Sequence, residues 1–135
     1  MDLYAENILD HFRHPHRKAA LTRHSVELQE KNPSCGDSLT LMLRMKKNTI
    51  EDVGWEGEGC AISQASMSIL ADALIGKTIE AAQALSPKDI LAMLGVEVGP
   101  RRLKCALLSL HALRNALRKF QNLPPTPWRE VLPNA

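Results

Sequence analysis

The stretch Val26-Glu27-Leu28, followed by Ser38-Leu39-Thr40-Leu41-Met42-Leu43-Arg44-Met45, decides the fold. Val26 and Leu28, then Leu39, Leu41, Leu43 and Met45, put an apolar side chain at every second position, the period of a strand with one buried face. Between the runs, Asn32-Pro33-Ser34-Cys35-Gly36-Asp37 collects residues that bend a backbone and predicts the turn joining two strands. Lys46-Lys47-Asn48 predicts a second turn, leading into Ile50 to Glu56, where Ile50, Val53 and Trp55 suit a third strand. A three-stranded antiparallel meander is expected.

The period changes on either side of it. Leu3, Tyr4, Ile8, Leu9 and Phe12 recur at helical spacing and predict a helix over 2–13, ended by Pro15. After Gly57-Glu58-Gly59, the residues Ile62, Ser66, Ile69, Leu70, Ala73 and Leu74 mark a helical face that Gly76 closes. Two short helices are expected over 78–84 and 87–94, the second opened by Ser86-Pro87 as cap and first turn. A long helix over 101–121 carries Leu103, Leu107, Leu110, Leu113, Leu117 and Phe120 on its buried side. From about residue 122 a proline-rich tail, Leu123-Pro124-Pro125-Thr126-Pro127-Trp128, is expected to run extended with Trp128 docked on the domain. The class is α+β, an antiparallel sheet packed against helices, in one domain over 1–135.

Composition narrows the function. Seventeen basic and fifteen acidic residues leave a formal charge of +2, too little for a nucleic-acid footprint across the domain. No apolar run reaches the roughly 18 residues of a membrane span, and Met1-Asp2-Leu3-Tyr4-Ala5-Glu6 has no leader-like pattern. A cytoplasmic protein is expected, with neither nucleic acid nor membrane as partner, and monomeric or weakly self-associating. Three cysteines are an odd number, which points to metal or thiol chemistry rather than a disulfide framework.

Each cysteine falls where an element begins or turns: Cys35 between strands, Cys60 before a helix, Cys105 near a helix start. The positive end of a helix favours an anionic sulfur at Cys60 and Cys105. Their spacing matches no paired-cysteine zinc finger, so folding must assemble any shared site. Cys35-Gly36-Asp37 offers a thiolate and a carboxylate two residues apart, with Gly36 free to bend the loop so that both face one ion. Three sulfurs and one oxygen would complete a tetrahedral set. The ordinary role of any one such cysteine is that of a small buried hydrophobe.

Asn32-Pro33-Ser34-Cys35-Gly36-Asp37, Gly57-Glu58-Gly59-Cys60-Ala61-Ile62-Ser63 and Arg102-Leu103-Lys104-Cys105-Ala106 resemble, in order, the three signature segments of the IscU/NifU/SufU family of iron-sulfur assembly proteins. The opening Leu3-Tyr4 and Ile8-Leu9-Asp10-His11 are similar to that family's first helix. The resemblance implies a scaffold, not an enzyme. Such a scaffold accepts sulfur from a cysteine desulfurase, builds a 2Fe-2S cluster from iron on Cys35, Asp37, Cys60 and Cys105, and passes it to apo iron-sulfur proteins. Cys105 is the candidate persulfide acceptor; Lys104, directly beside it, is expected to aid its thiolate electrostatically, and Asp37, one hard oxygen among soft sulfurs, to be the point of cluster release. Lys104 stands where the Isc-type branch usually has histidine and looks more like the Suf-type branch, whose members are associated with zinc and persulfide relay. The extra stretch usual between the second and third cysteines of Gram-positive Suf-type members is lacking. A zinc-dependent sulfur acceptor and a structural-zinc interaction module are the two alternatives.

Other groups have plainer readings. His14-Pro15-His16 is expected to be a surface loop, and His111, about two helical turns beyond Cys105, a contact for solvent or a partner. Met42 and Met45 are expected on opposite strand faces, one in the core and one exposed.

Overall fold

A computed structural model of the chain describes residues 3–34 and 36–132. Helix α1 (Leu3–Arg13) precedes strands β1 (Val26–Asn32), β2 (Asp37–Lys46) and β3 (Thr49–Glu58), and four helices follow: α2 (Ala61–Leu74), α3 (Ile79–Gln83), α4 (Pro87–Leu94) and α5 (Leu103–Phe120). The strands form an antiparallel sheet in the order β1-β2-β3, as the alternation predicts. The third strand is longer than its apolar residues alone suggest, because β2 pairs with it as far as Ser38 opposite Glu58.

Cross-strand partners explain the core. Val26 pairs with Leu43 and Leu28 with Leu41, while Leu41 also pairs with Trp55 and Leu43 with Val53. Directly opposed residues share a face, so these side chains form one apolar surface. It packs with Met67, Leu70 and Leu74 of α2 and with Leu107, Leu110, Leu113 and Leu117 of α5. Burying each such side chain contributes roughly 1.5 to 3 kcal/mol. A smaller cluster of Ile8, Ala65, Leu94 and Ala106 joins α1 and α4 to the same two long helices. Helix α4 ends on a left-handed Gly95 and begins with a reciprocal capping box between Ser86 and Asp89. No helix among the described residues is long and apolar enough to cross a membrane.

Two details depart from the expected pattern. Met42 and Met45 do lie on opposite faces, but neither is exposed: Met45 packs against the main core, and Met42 is buried as well. The chain between α1 and β1 runs across the outer face at Gly54, the partner of Met42. A side chain at Gly54 would meet the Ala19 carbonyl oxygen at 2.5 Å. The tail is not extended throughout; it turns at Trp128–Glu130 and buries Val131 fully.

Candidate metal centre

Sheet register brings the site together at one end of the meander. Asn32, the last residue of β1, is the partner of Asp37, the first of β2. Because Ser38 faces Glu58, the chain leaving β3 through Gly59 and Cys60 passes beside Asp37. Cys60 is the N-cap of α2. Cys105, in the first turn of α5, reaches the same end, where its Sγ accepts a hydrogen bond from Asn32 Nδ2 at 3.7 Å. One donor atom from each of Asp37, Cys60 and Cys105 lies within 4.8 Å of the other two. Asp37 and Cys105 are buried and Cys60 is half-buried. Cys35, the remaining expected ligand, lies outside the described residues.

The Asp37 carboxylate has one oxygen engaged and one waiting. Oδ1 accepts from the Cys60 backbone N–H at 3.2 Å, at the positive end of α2, whereas Oδ2 is buried without a hydrogen-bond partner among the described residues. An unpartnered buried oxygen costs about 1 to 3 kcal/mol, a cost a bound cation removes. Cys60 also makes no side-chain cap bond, so α2 forgoes about 1 kcal/mol that serine or aspartate would supply there. Both departures from local optimisation fall on a thiol and a carboxylate, donors suited to zinc and iron.

Gly59 shapes the cradle. At φ +156°, a Cβ there would meet Asp37 Oδ1 at 2.5 Å and Ser63 Oγ at 2.6 Å, so only glycine leaves the carboxylate in place. Gly36 adopts φ +77°, the bend expected beside Cys35. Lys104 is half-buried and donates from Nζ to Ser34 Oγ at 3.3 Å, tying the start of α5 to the loop that carries Cys35. The roles of Asn32 and Gly59 escape a reading of the sequence, where they pass for turn and break residues. An Asx turn at Asn32, preceding proline, is the signal for the first.

The histidines stand apart from this group. His16 pairs with Asp72, and its ring lies 4.4 Å from that of His11, whose Nδ1 meets Ser68 Oγ at 2.7 Å. His14-Pro15-His16 is the expected surface loop, and His16 within it ties the chain after α1 to α2. Burial, then the neighbouring His16, lowers the His11 pKa below the usual histidine value. His111 is a correction: it is buried, stacks on Trp128 at 4.3 Å and faces Glu30 Oε2 through Nε2 at 3.5 Å. The tail covers the flank of α5 that periodicity assigns to solvent. Burial holds the His111 pKa below its ordinary value, with Glu30 opposing the shift.

The model of the NifU-like N terminal domain matches residues 3–125. The chain belongs to this family. Among family relatives, the zinc-dependent sulfurtransferase SufU of Bacillus subtilis is 37% identical, over 87% of this chain and 90% of its own. The iron-sulfur cluster assembly scaffold protein IscU of Streptococcus pyogenes is 35% identical, over 89% of this chain and 86% of its own. A crystal structure of a putative iron-sulfur cluster assembly scaffold protein for the SUF system from Fervidobacterium islandicum superposes with a TM-score of 0.70 at 31% identity. It covers 83% of this chain and 94% of the other. The NifU-like family thus joins relatives named as scaffolds with one named as a sulfurtransferase, the two activities that the sequence segments imply.

Proposed function

We propose that this member of the NifU-like family is a scaffold on which iron and sulfide are assembled into 2Fe-2S clusters for transfer to apo iron-sulfur proteins. The observation that carries the reading is the convergence of Asp37, Cys60 and Cys105 donor atoms within 4.8 Å, with a buried Asp37 oxygen that has no hydrogen-bond partner among the described residues. Cys35 is the further ligand, on the loop between Ser34 and Gly36. Three thiolates suit an iron-sulfur cargo, and the single carboxylate is the weaker donor from which it leaves. Cysteine desulfurase is the sulfur source.

A second reading is favoured by Lys104, whose ammonium sits between α5 and the Cys35 loop where no histidine is available as a ligand. Zinc bound by Cys35, Asp37, Cys60 and Cys105 would hold the cysteines as thiolates. Cys105 then attacks the outer sulfur of a desulfurase persulfide. A new S–S bond forms at Cys105, the old S–S bond breaks, and the desulfurase cysteine departs as a thiolate. No external oxidant is needed. Lys104 steadies negative charge at the attacked and attacking sulfurs.

Anaerobic incubation of the full chain with ferrous iron, cysteine and a desulfurase, followed by absorption spectra and metal and sulfide analysis, tests the choice. A coloured species with matched iron and sulfide supports the scaffold. Colourless protein with stoichiometric zinc and persulfide on Cys105 supports the relay instead.

A further inference from the structure

Asn32 is fully buried at the end of β1, yet it is an amide where an apolar residue would complete the strand. Such a group is costly to bury unsatisfied, so its bonds show what it is kept for. Its Oδ1 accepts from the Ser34 backbone N–H at 3.1 Å, and its carbonyl oxygen accepts from Gly36 N–H at 3.0 Å. Those two bonds hold Ser34 and Gly36 to the end of β1. Its Nδ2 donates to Cys105 Sγ at 3.7 Å, across a sequence separation of 73 residues.

We propose that Asn32 is a positioning residue for the metal centre, bracing Ser34 and Gly36 and directing an N–H donor at the Cys105 sulfur. Sulfur bound to a metal carries negative charge and accepts a hydrogen bond more strongly than a neutral thiol. The Asn32 amide therefore favours the loaded site. Second-shell donors of this kind orient ligands and tune the metal, and losing one typically lowers affinity about 10- to 100-fold. The inference rests on the reading of Asp37, Cys60 and Cys105 as ligands.

Cobalt(II) binding to the full chain tests it, because sulfur-to-cobalt charge-transfer bands report the sulfur's electronic environment. Asn32→Ser keeps an oxygen short enough for the Ser34 N–H but too short to reach Cys105. Asn32→Asp keeps the shape and replaces the donor with an acceptor. Both are expected to bind cobalt about tenfold or more weakly and to move the band to lower energy, Asn32→Asp further than Asn32→Ser. A purely structural asparagine would lower stability and leave the band in place. In the wild-type chain loaded with an NMR-active cadmium isotope, the Asn32 side-chain amide should show coupling to the metal across its N–H···S bond. This readout needs no variant to fold. Absence of that coupling, or unmoved bands in a folded variant, overturns the proposal for Asn32. A wild-type chain that takes up neither metal overturns the ligand reading and this inference with it.

Discussion

Gly59→Ala is the sharpest test of how the centre is built, because it adds one methyl group and removes no ligand. The new Cβ would lie 2.5 Å from Asp37 Oδ1 and 2.6 Å from Ser63 Oγ, where ordinary contact needs at least 3.4 Å. Holding a side chain at φ +156° adds about 1 to 3 kcal/mol of backbone strain. Overfilling the packed cradle adds about 1 to 3 kcal/mol more. The metal-free protein should therefore lose at least about 2 kcal/mol, a fall in Tm of about 6 to 10 °C for a chain of this size. The expected relief is rotation of the Asp37 carboxylate away from Cys60, which breaks the Cys60 N–H bond to Oδ1 and withdraws the proposed oxygen ligand. Zinc affinity should drop in parallel. Thermal melts in chelator give the first quantity, and competition against a chromophoric chelator gives the second. Unchanged zinc affinity in a folded Gly59→Ala protein would refute the claim that Gly59 holds Asp37 in the site.

Replacing Cys60 with serine should abolish tight metal binding and the stabilisation that metal confers, with melts of treated and chelated samples becoming identical; a persisting difference would remove Cys60 from the ligand set. Lys104→Ala should retain its metal and slow persulfide uptake from a desulfurase at low salt, and an equal rate would leave Lys104 with only its bond to Ser34. Asp37→Ala is expected to load a cluster on the cysteines and release it more slowly to an apo-ferredoxin, so matched transfer traces at equal loading would argue against an exit role. His111 and His11 both have folded pKa values below the ordinary 6.5, so the unfolded chain binds more protons. Their contribution is therefore complete above that value and falls away as pH drops through it; His111→Phe should flatten the acid limb of a denaturation series between about pH 7 and pH 5.

The meander was legible because Leu39, Leu41 and Leu43 alternate with no interruption, and α4 because Ser86 and Pro87 cap it by local chemistry alone. His111 was not legible. Its neighbours Leu107 and Leu110 define a core face from which position 111 is rotated, and that flank is closed by contacts distant in sequence, Trp128 of the returning tail and Glu30 of β1. The cysteines announced themselves by their places at turns and helix starts. The convergence of Cys60 and Cys105 on Asp37 was expected from resemblance alone, since no local rule says that the register Asn32 to Asp37 and Ser38 to Glu58 brings those three to one end of the sheet. Gly59 looked like a chain break because the atoms it makes room for lie on Asp37, far away in sequence.

Main-chain groups on both edges of the sheet are already engaged, and this limits how another strand can join it. On β1, Lys119 Nζ donates to the Glu27 carbonyl oxygen at 2.7 Å and Trp128 Nε1 to that of Lys31 at 3.1 Å. On β3, the Ile50 N–H donates to the Lys77 carbonyl oxygen and the Trp55 N–H to that of Arg17. A visiting strand therefore finds main-chain groups on each rim already spoken for, which guards a small sheet against stacking edge to edge with its own copies. Under the proposed function, a sulfur donor or a recipient would meet loops and helix ends, and the end of the meander beside Cys60 and Cys105 is made of those.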